Sequence, residues 1–320
     1  MRISFLGGGT DYHAHYSKHG GVFLSCAIDK YVYIILRRLP RFFDHRLRIA
    51  YSIQEHVADV DDIKNPAIRA CLKFMDVKED REIVTMADIP ARTGLGSGST
   101  FIVALLRALY WHEQGIRNLS PSDLAHAAVH VERDLMNEAV GIQDQYAAAW
   151  GNMRHYEIRA DGDVKVSIPL RGASDLLAHC LLGFTGFQRD AYGIAADWIA
   201  RTDANEAALL RMAGMTKAGL AYLKSRRWAE FGALMHEAWL MKRELSPLIP
   251  FPYADAIYGE ARGMGAWGGK MLGAGGGGFL LIMAPPEIHP AIWERFKNRL
   301  MFVPVKAAPL GAEILFRNEE

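Results

Sequence analysis

The sequence predicts an α+β fold built as two lobes, and three observations lead there. Runs of apolar and β-branched residues between turn signals mark strands in both halves of the chain, with helically spaced runs among them. A length of 320 residues is enough for two lobes around a large core. A hairpin followed by a break near Gly172 separates residues 1–172, an N-terminal mixed α/β lobe, from residues 173–320.

In chain order, strands are expected near residues 2–6, 22–27, 31–37, 47–51 and 83–86, where apolar and β-branched side chains cluster. A helix should run from Ser99 to His112 on Phe101, Ile102, Leu105, Leu106 and Leu109, and stop near Gly115. A second should open at Ser120, where Ser-Pro-Ser-Asp offers an N-cap, a proline in the first turn and an acidic third position. It would carry Leu124, Ala128, Val131 and Leu135 on one face. Asp161-Gly162 reads as a hairpin turn. Beyond it, strands near 181–185, 279–283, 302–306 and 314–317 are separated by helices around 204–223, 228–245 and 290–300.

Three glycine-rich clusters carry the chemical signal. Pro90-Ala-Arg-Thr-Gly94-Leu95-Gly96-Ser97-Gly98-Ser99-Thr100 runs straight into the first helical pattern. Glycines let the backbone approach a ligand, while the N–H groups and dipole of the following helix attract negative charge. Ser97, Ser99 and Thr100 add hydroxyls for phosphate or a metal. A flexible Gly/Ser linker would not lead into apolar residues at helical spacing. The other clusters are Arg2-Ile-Ser-Phe-Leu-Gly7-Gly8-Gly9-Thr10-Asp11-Tyr12 and Lys270-Met-Leu-Gly273-Ala-Gly275-Gly276-Gly-Gly278-Phe279. Gly273, Gly275 and Gly278 satisfy G-x-G-x-x-G, but an apolar strand-like run follows instead of a helix, which excludes a Rossmann dinucleotide site. Without G-x-x-x-x-G-K-[ST], H-R-D or D-F-G, the P-loop and protein-kinase classes are excluded too.

The formal net charge of +1 leaves no global field to recruit nucleic acid or an anionic membrane, so attraction for phosphates has to be local. Cys26, Cys71 and Cys180 are odd in number and lack metal-ligand spacing, which suits reduced thiols in a cytoplasmic protein. The apolar start breaks at once into glycines, unlike a signal peptide, and no apolar run approaches a membrane span.

In this order and spacing the three clusters resemble the motifs of the GHMP kinase superfamily, named for galactokinase, homoserine, mevalonate and phosphomevalonate kinases. The middle cluster is similar to that family's nucleotide-phosphate loop, P-x-x-x-G-L-G-S-S. The last is similar to its third motif, which supports the loop and the active site from the second lobe. The first, Gly-Gly-Gly-Thr-Asp-Tyr after Arg-Ile-Ser-Phe, resembles the branch containing the D-glycero-D-manno-heptose 7-phosphate kinases. Galactokinases usually carry Gly-Glu-His-Thr-Asp-Tyr there, so Gly8 and Gly9 replace two sugar-binding side chains.

The resemblance implies a ferredoxin-like C-terminal lobe, with the active site between the lobes. It implies ATP and Mg²⁺ as cofactors, with the nucleotide phosphates on Gly94, Leu95, Gly96, Ser97, Gly98, Ser99 and Thr100. Glu132 is then the Mg²⁺ ligand, Asp144 the catalytic aspartate that orients or deprotonates the acceptor hydroxyl, and Arg2 its partner. Read without the family, Glu132 is a solvated helix face and Asp144 an N-cap. The sugar would lie on Gly8, Gly9, Thr10, Asp11, Gly275 and Gly276; Asp11 also reads as a cap on the turn after Gly9. Relatives usually place two serines after Gly-Leu-Gly, whereas here Ser97 is followed by Gly98, so Ser99, Ser97 or a water takes the place of the metal-binding serine. Family members usually have more strand before this arginine, so the first strand is expected to be clipped or frayed.

Arg189, in Thr185-Gly-Phe-Gln-Arg189, could meet a sugar phosphate or make a surface ion pair, and Lys30 could serve the same end. His13, His15 and His19, and His126 with His130, lack an evident third metal ligand. Trp111, Tyr146 and Trp150 read as core. The function implied is phosphorylation of the anomeric C1 hydroxyl of D-glycero-D-manno-heptose 7-phosphate, supplying nucleotide-activated heptose for a bacterial surface polysaccharide. Alternatives are a kinase of an unphosphorylated, fucose-like sugar, a non-catalytic sugar sensor and a diphosphomevalonate decarboxylase. Retention of Arg2, Glu132 and Asp144 speaks against the sensor, and Thr-Asp-Tyr against the decarboxylase. A homodimer is left open.

Overall fold

The computed structural model describes residues 1–77, 80–188 and 191–317. The chain begins with β1 (Arg2–Leu6), α1 (His13–His19), β2 (Gly21–Ala27), β3 (Val32–Arg38), β4 (Leu47–Ala50) and β5 (Gln54–Val57). It continues through α2 (Pro66–Phe74), β6 (Arg81–Ala87), α3 (Ser97–Gln114), α4 (Pro121–Val129), α5 (Gln143–Trp150), β7 (Met153–Ile158) and β8 (Val164–Val166). The second half contains α6 (Ala173–Ala178), β9 (Cys180–Phe184), α7 (Ala191–Ala200), α8 (Glu206–Lys224), α9 (Trp228–Glu244) and α10 (Pro252–Gly263). It ends with β10 (Gly268–Met271), β11 (Phe279–Met283), α11 (His289–Phe296) and β12 (Met301–Phe302).

Two sheets belong to the first half. One is antiparallel in the order β1-β2-β7-β8; the other runs β3-β6-β4-β5, with β4 and β6 parallel. Phe23 and Tyr156 of the first sheet share one core with Leu47, Ile49 and Ile83 of the second and with Ile102, Val103, Leu105, Leu106 and Leu109 of α3. The second half has one antiparallel sheet, β10-β11-β9-β12, joined as strand, helices, strand, strand, helix, strand. That is the expected ferredoxin-like connectivity. Side chains of β11 alternate: Phe279, Leu281 and Met283 face β1 and α9, while Leu280 and Ile282 face α10 and α11. Ile3 and Phe5 of β1 pack with Phe231 and Met235 of α9 in a core that joins the two halves.

Four expectations change. The strand starting at Arg2 does not fray: all five of its residues are buried, and the Arg2 amide donates to the Leu95 carbonyl at 3.0 Å. The helix from Ser120 does not keep one register to Leu135, because α4 passes into a π-helical turn over His130–Leu135, closed by Met136 N–H to the Val131 carbonyl. The wider turn rotates Leu135 outward, to 49% exposure. Of the strand expected over 302–306, pairing with β9 starts one residue early, at Met301, and ends with Val303 N–H to the Leu182 carbonyl; beyond Pro304 the chain crosses to β2, where Ala308 N–H donates to the Ala27 carbonyl. The expected strand over 314–317 finds no sheet edge, and Leu315 and Phe316 are exposed.

Candidate active site

The loop expected to hold phosphate is shaped by two left-handed glycines, Gly94 (φ +86°) and Gly96 (φ +73°), the second forming the N-cap of α3. Among the described residues no side chain caps this helix, so the Ser97–Ser99 amides remain at the positive end of its dipole, where an anion is favoured. Leu95 contributes backbone only, since its side chain is buried in the core between the halves. Thr100 Oγ1 donates to the Gly96 carbonyl at 2.8 Å. The third glycine cluster supports the loop by close backbone contact. A Cβ on Gly273 would lie 2.7 Å from Gly94 Cα, one on Gly278 would lie 2.2 Å from the Thr93 carbonyl oxygen, and Phe279 N–H donates to that carbonyl at 3.0 Å.

Asp144 stands in the first turn of α5 and meets this loop from the side. Arg2 Nε and Nη2 both reach its Oδ1, at 2.7 and 2.6 Å, while Arg2 Nη1 donates to the Gly94 carbonyl at 2.7 Å. The guanidinium is 3% exposed, so this is a buried, charge-assisted clamp joining β1, the loop and α5. Asp144 Oδ2 takes no part in the clamp. It lies only 2.9 Å from where a Gly96 Cβ would be, facing the loop. The arrangement leaves one carboxylate oxygen to accept a proton or orient a hydroxyl beside the phosphate cradle.

The π-helical turn brings Glu132 inward to α3. Ser99 Oγ donates to its Oε1 at 3.0 Å and Gln145 Nε2 to its Oε2 at 2.7 Å. Burial raises its pKa to about 8, against the lowering effect of those two hydrogen bonds. A buried carboxylate and a serine hydroxyl at the end of a phosphate cradle suit Mg²⁺, which takes one or two protein oxygens and fills its other positions with water and phosphate. Among the serines weighed against the Gly98 gap, Ser99 is the one that meets Glu132. Glu132→Gln should leave the fold intact: the orphaned Oε1 of Gln145 lets that amide turn over and accept from the new side chain. Turnover at limiting Mg²⁺ is expected to fall about tenfold or more, which a Mg²⁺ titration of initial rate checks, as loss of one hydrogen-bonded charge is worth roughly 1.5–3 kcal/mol. Because the folded-state pKa is raised, the wild-type carboxyl stabilises the metal-free fold at low pH and loses that contribution as pH rises through about 8. Thermal melts of the two metal-free proteins should diverge as pH rises from about 4.5 to about 8 and stay apart above it, with the Gln variant the more stable.

Other expected contacts resolve differently. Thr10 is fully buried, with its hydroxyl 2.8 Å from the Gly7 and Val22 carbonyls and accepting from the Val22 amide, so it builds the turn instead of facing a ligand. Asp11 is likewise fully buried: Oδ1 accepts from Gly9 N–H at 2.9 Å and Oδ2 from Gln143 N–H at 3.3 Å. This is the capping role; burial raises its pKa, partly offset by the Gly9 hydrogen bond. Gly9 packs toward Leu209 and Trp198. Gly275 packs on Ile249, and Gly276 N–H donates to the Ile249 carbonyl, so the Gly276 amide is committed to bracing the cluster. Lys30 is paired with Asp29 at 3.2 Å. Arg189 lies outside the described residues. Gly8 does face the site, between Ser4 Oγ and Gln143 Nε2.

Four polar residues near the clamp were not singled out by the sequence reading. Ser4 Oγ and Gln143 Oε1 are buried without a hydrogen-bond partner among the described residues. Lys242 and Lys270 are buried, their ammonium groups bonded to the Gly273 and Phe5 carbonyls. A signal existed for Lys242: it continues the buried row Phe231, Met235, Ala238 of α9, where lysine is out of place.

The profile described as GHMP kinases N terminal domain matches residues 64–152, and that described as GHMP kinases C terminal matches residues 220–300, together just over half the chain. The chain is 28% identical over 302 residues to the D-glycero-alpha-D-manno-heptose 7-phosphate kinase of Campylobacter jejuni, covering 89% of this chain and 88% of that protein. It is 24% identical over 316 residues to the bifunctional fucokinase/GDP-fucose pyrophosphorylase of Arabidopsis thaliana, covering 89% of this chain and 29% of that longer one. A solved structure described as a D-glycero-D-manno-heptose 1-phosphate kinase from Bacteroides thetaiotaomicron shares the fold, with a TM-score of 0.77 at 22% identity over 97% of this chain and 95% of that one. With its middle and last glycine clusters docked on each other as the resemblance implied, the chain belongs to the GHMP kinase family.

Proposed function

We propose that this kinase transfers the γ-phosphoryl group of ATP to the anomeric C1 hydroxyl of D-glycero-D-manno-heptose 7-phosphate, giving the 1,7-bisphosphate. The observation that carries the chemistry is the Arg2–Asp144 clamp, which leaves Asp144 Oδ2 beside the uncapped end of α3. In this reading the Ser97–Ser99 amides hold the nucleotide phosphates. Asp144 Oδ2 receives the proton of the C1 hydroxyl as that oxygen bonds to the γ-phosphorus and the bond to the β-phosphate oxygen breaks. Arg2 fixes Asp144 through Oδ1 and keeps Oδ2 directed at the acceptor. Glu132 and Ser99 would hold Mg²⁺, which when bound offsets charge on the phosphates.

The choice of sugar is supported by the likeness, over 89% of this chain, to a heptose 7-phosphate kinase and by Gly8. A Cβ there would stand 3.4 Å from Ser4 Oγ and 3.7 Å from Gln143 Nε2, so its absence leaves room between two polar groups for a bulkier sugar. Incubation with ATP, Mg²⁺ and heptose 7-phosphate should give a new anomeric phosphate signal by phosphorus NMR, with the original phosphate retained. A product phosphorylated elsewhere, or faster turnover of L-fucose or of heptose lacking the 7-phosphate, would defeat this assignment.

A further inference from the structure

Lys242 and Lys270 approach the site from α9 and β10, and both are more than nine-tenths buried. Lys242 Nζ donates to the Gly273 carbonyl at 2.5 Å; among the described residues the one partner of Lys270 Nζ is the Phe5 carbonyl at 3.4 Å. Neither has a carboxylate partner among the described residues. The nearby carboxylates are committed elsewhere: Asp144 Oδ1 to Arg2, and Asp11 to two backbone amides. Burying an ammonium group without a counter-ion costs several kcal/mol, and here a second lysine and Arg2 add like charge. Burial pushes the Lys242 pKa down to about 8 and that of Lys270 well below its usual range. Gly273, whose carbonyl Lys242 bonds, packs on Gly94, whose carbonyl Arg2 holds, and Phe5, whose carbonyl Lys270 bonds, follows Ser4 on β1, so both lysines stand beside the Arg2–Asp144 clamp, with Arg2 and Asp11 as electrostatic neighbours of both.

We propose that Lys242 and Lys270 together receive a phosphate dianion, the one that the acceptor sugar already carries. The inference rests on the sugar-phosphate reading above. An incoming dianion would supply the missing counter-charge to both lysines at once, and Ser4 Oγ and Gln143 Oε1 offer unsatisfied polar atoms toward the sugar between that phosphate and Asp144. Without the phosphate the two lysines remain without a counter-ion, so the site would discriminate against the free sugar.

The test compares kcat/KM for heptose 7-phosphate and for the corresponding free heptose, together with KM for ATP, in the wild type and in Lys242→Met and Lys270→Met. Lys242→Gln and Lys270→Gln serve as second variants should either methionine protein fail to fold by circular dichroism. Each charge-assisted contact is worth about 1.5–3 kcal/mol, so the preference for the phosphorylated sugar should fall roughly 10- to 150-fold per lysine, through KM for that sugar, with KM for ATP within about twofold. A rise in KM for ATP instead would assign the dianion to the nucleotide and overturn the acceptor assignment. Variants that keep the wild-type preference and both KM values would show the lysines to be structural. A wild type that prefers the free heptose would defeat the sugar-phosphate reading itself, an outcome visible before any lysine is changed.

Discussion

Replacing Asp144 by Asn is expected to lower turnover by about 10²–10⁴-fold while ATP and sugar binding persist, the range that loss of a general base produces. The reason is atomic. Asparagine can still present an oxygen to Arg2 Nε and Nη2, so the clamp across β1, the loop and α5 survives. What changes is the second position, where an N–H₂ group that cannot accept a proton now faces the acceptor hydroxyl. Calorimetry with ATP and with the sugar phosphate should therefore give affinities near wild type, and single-turnover rates should carry the whole loss. Arg2→Ala should reduce turnover less, because it frees Asp144 from its orientation but leaves its carboxylate. Combining the two changes should fall far short of the product of the single effects, since both act through one group. Full activity in Asp144→Asn would remove this residue from the mechanism.

Much of this site was legible because glycine has few reasons to repeat. Gly94, Gly96, Gly273 and Gly278 all have positive φ, and three of them let the halves touch backbone to backbone, so sequence pattern and geometry agree. The ferredoxin-like half followed from the family resemblance, and α8, α9 and β11 from their apolar spacing. The π-helical turn that aims Glu132 was not legible, since an extra residue in a turn leaves no mark on composition. Thr10 and Asp11 show a different limit: a carboxylate or hydroxyl beside a glycine turn has the same sequence whether it caps amides or binds a sugar, and only burial separates the two. The strand expected over 314–317 failed because a short apolar run such as Ile314–Phe316 becomes a strand only where a sheet edge is free to pair with it.

The loop and the Asp144 carboxylate are coupled at a single carbon, and this sets the second large effect. At Gly96 an added Cβ would lie 2.9 Å from Asp144 Oδ2, 3.0 Å from its Cγ and 3.2 Å from its Cβ, so Gly96→Ala must displace the carboxylate or distort the loop. Displacement of a catalytic group by even about 1 Å can lower turnover on the order of 10²-fold, so a loss of at least that size is expected in kcat, together with weaker nucleotide binding as the Ser97–Ser99 amides turn. The left-handed backbone adds its own strain of about 1–2 kcal/mol, which would lower stability whether or not Asp144 moves. Gly115 separates the two effects. It ends the same helix with nearly the same backbone (φ +63°), yet an added Cβ there meets nothing within 4 Å. Gly115→Ala should therefore lower the melting temperature about as much as Gly96→Ala while leaving kcat near wild type. In the Asp144→Asn background, Gly96→Ala should add little further loss, because the group it displaces has already ceased to act. Equal activity of the two alanine variants, or full additivity with Asp144→Asn, would mean that the phosphate loop and the carboxylate do not share this contact.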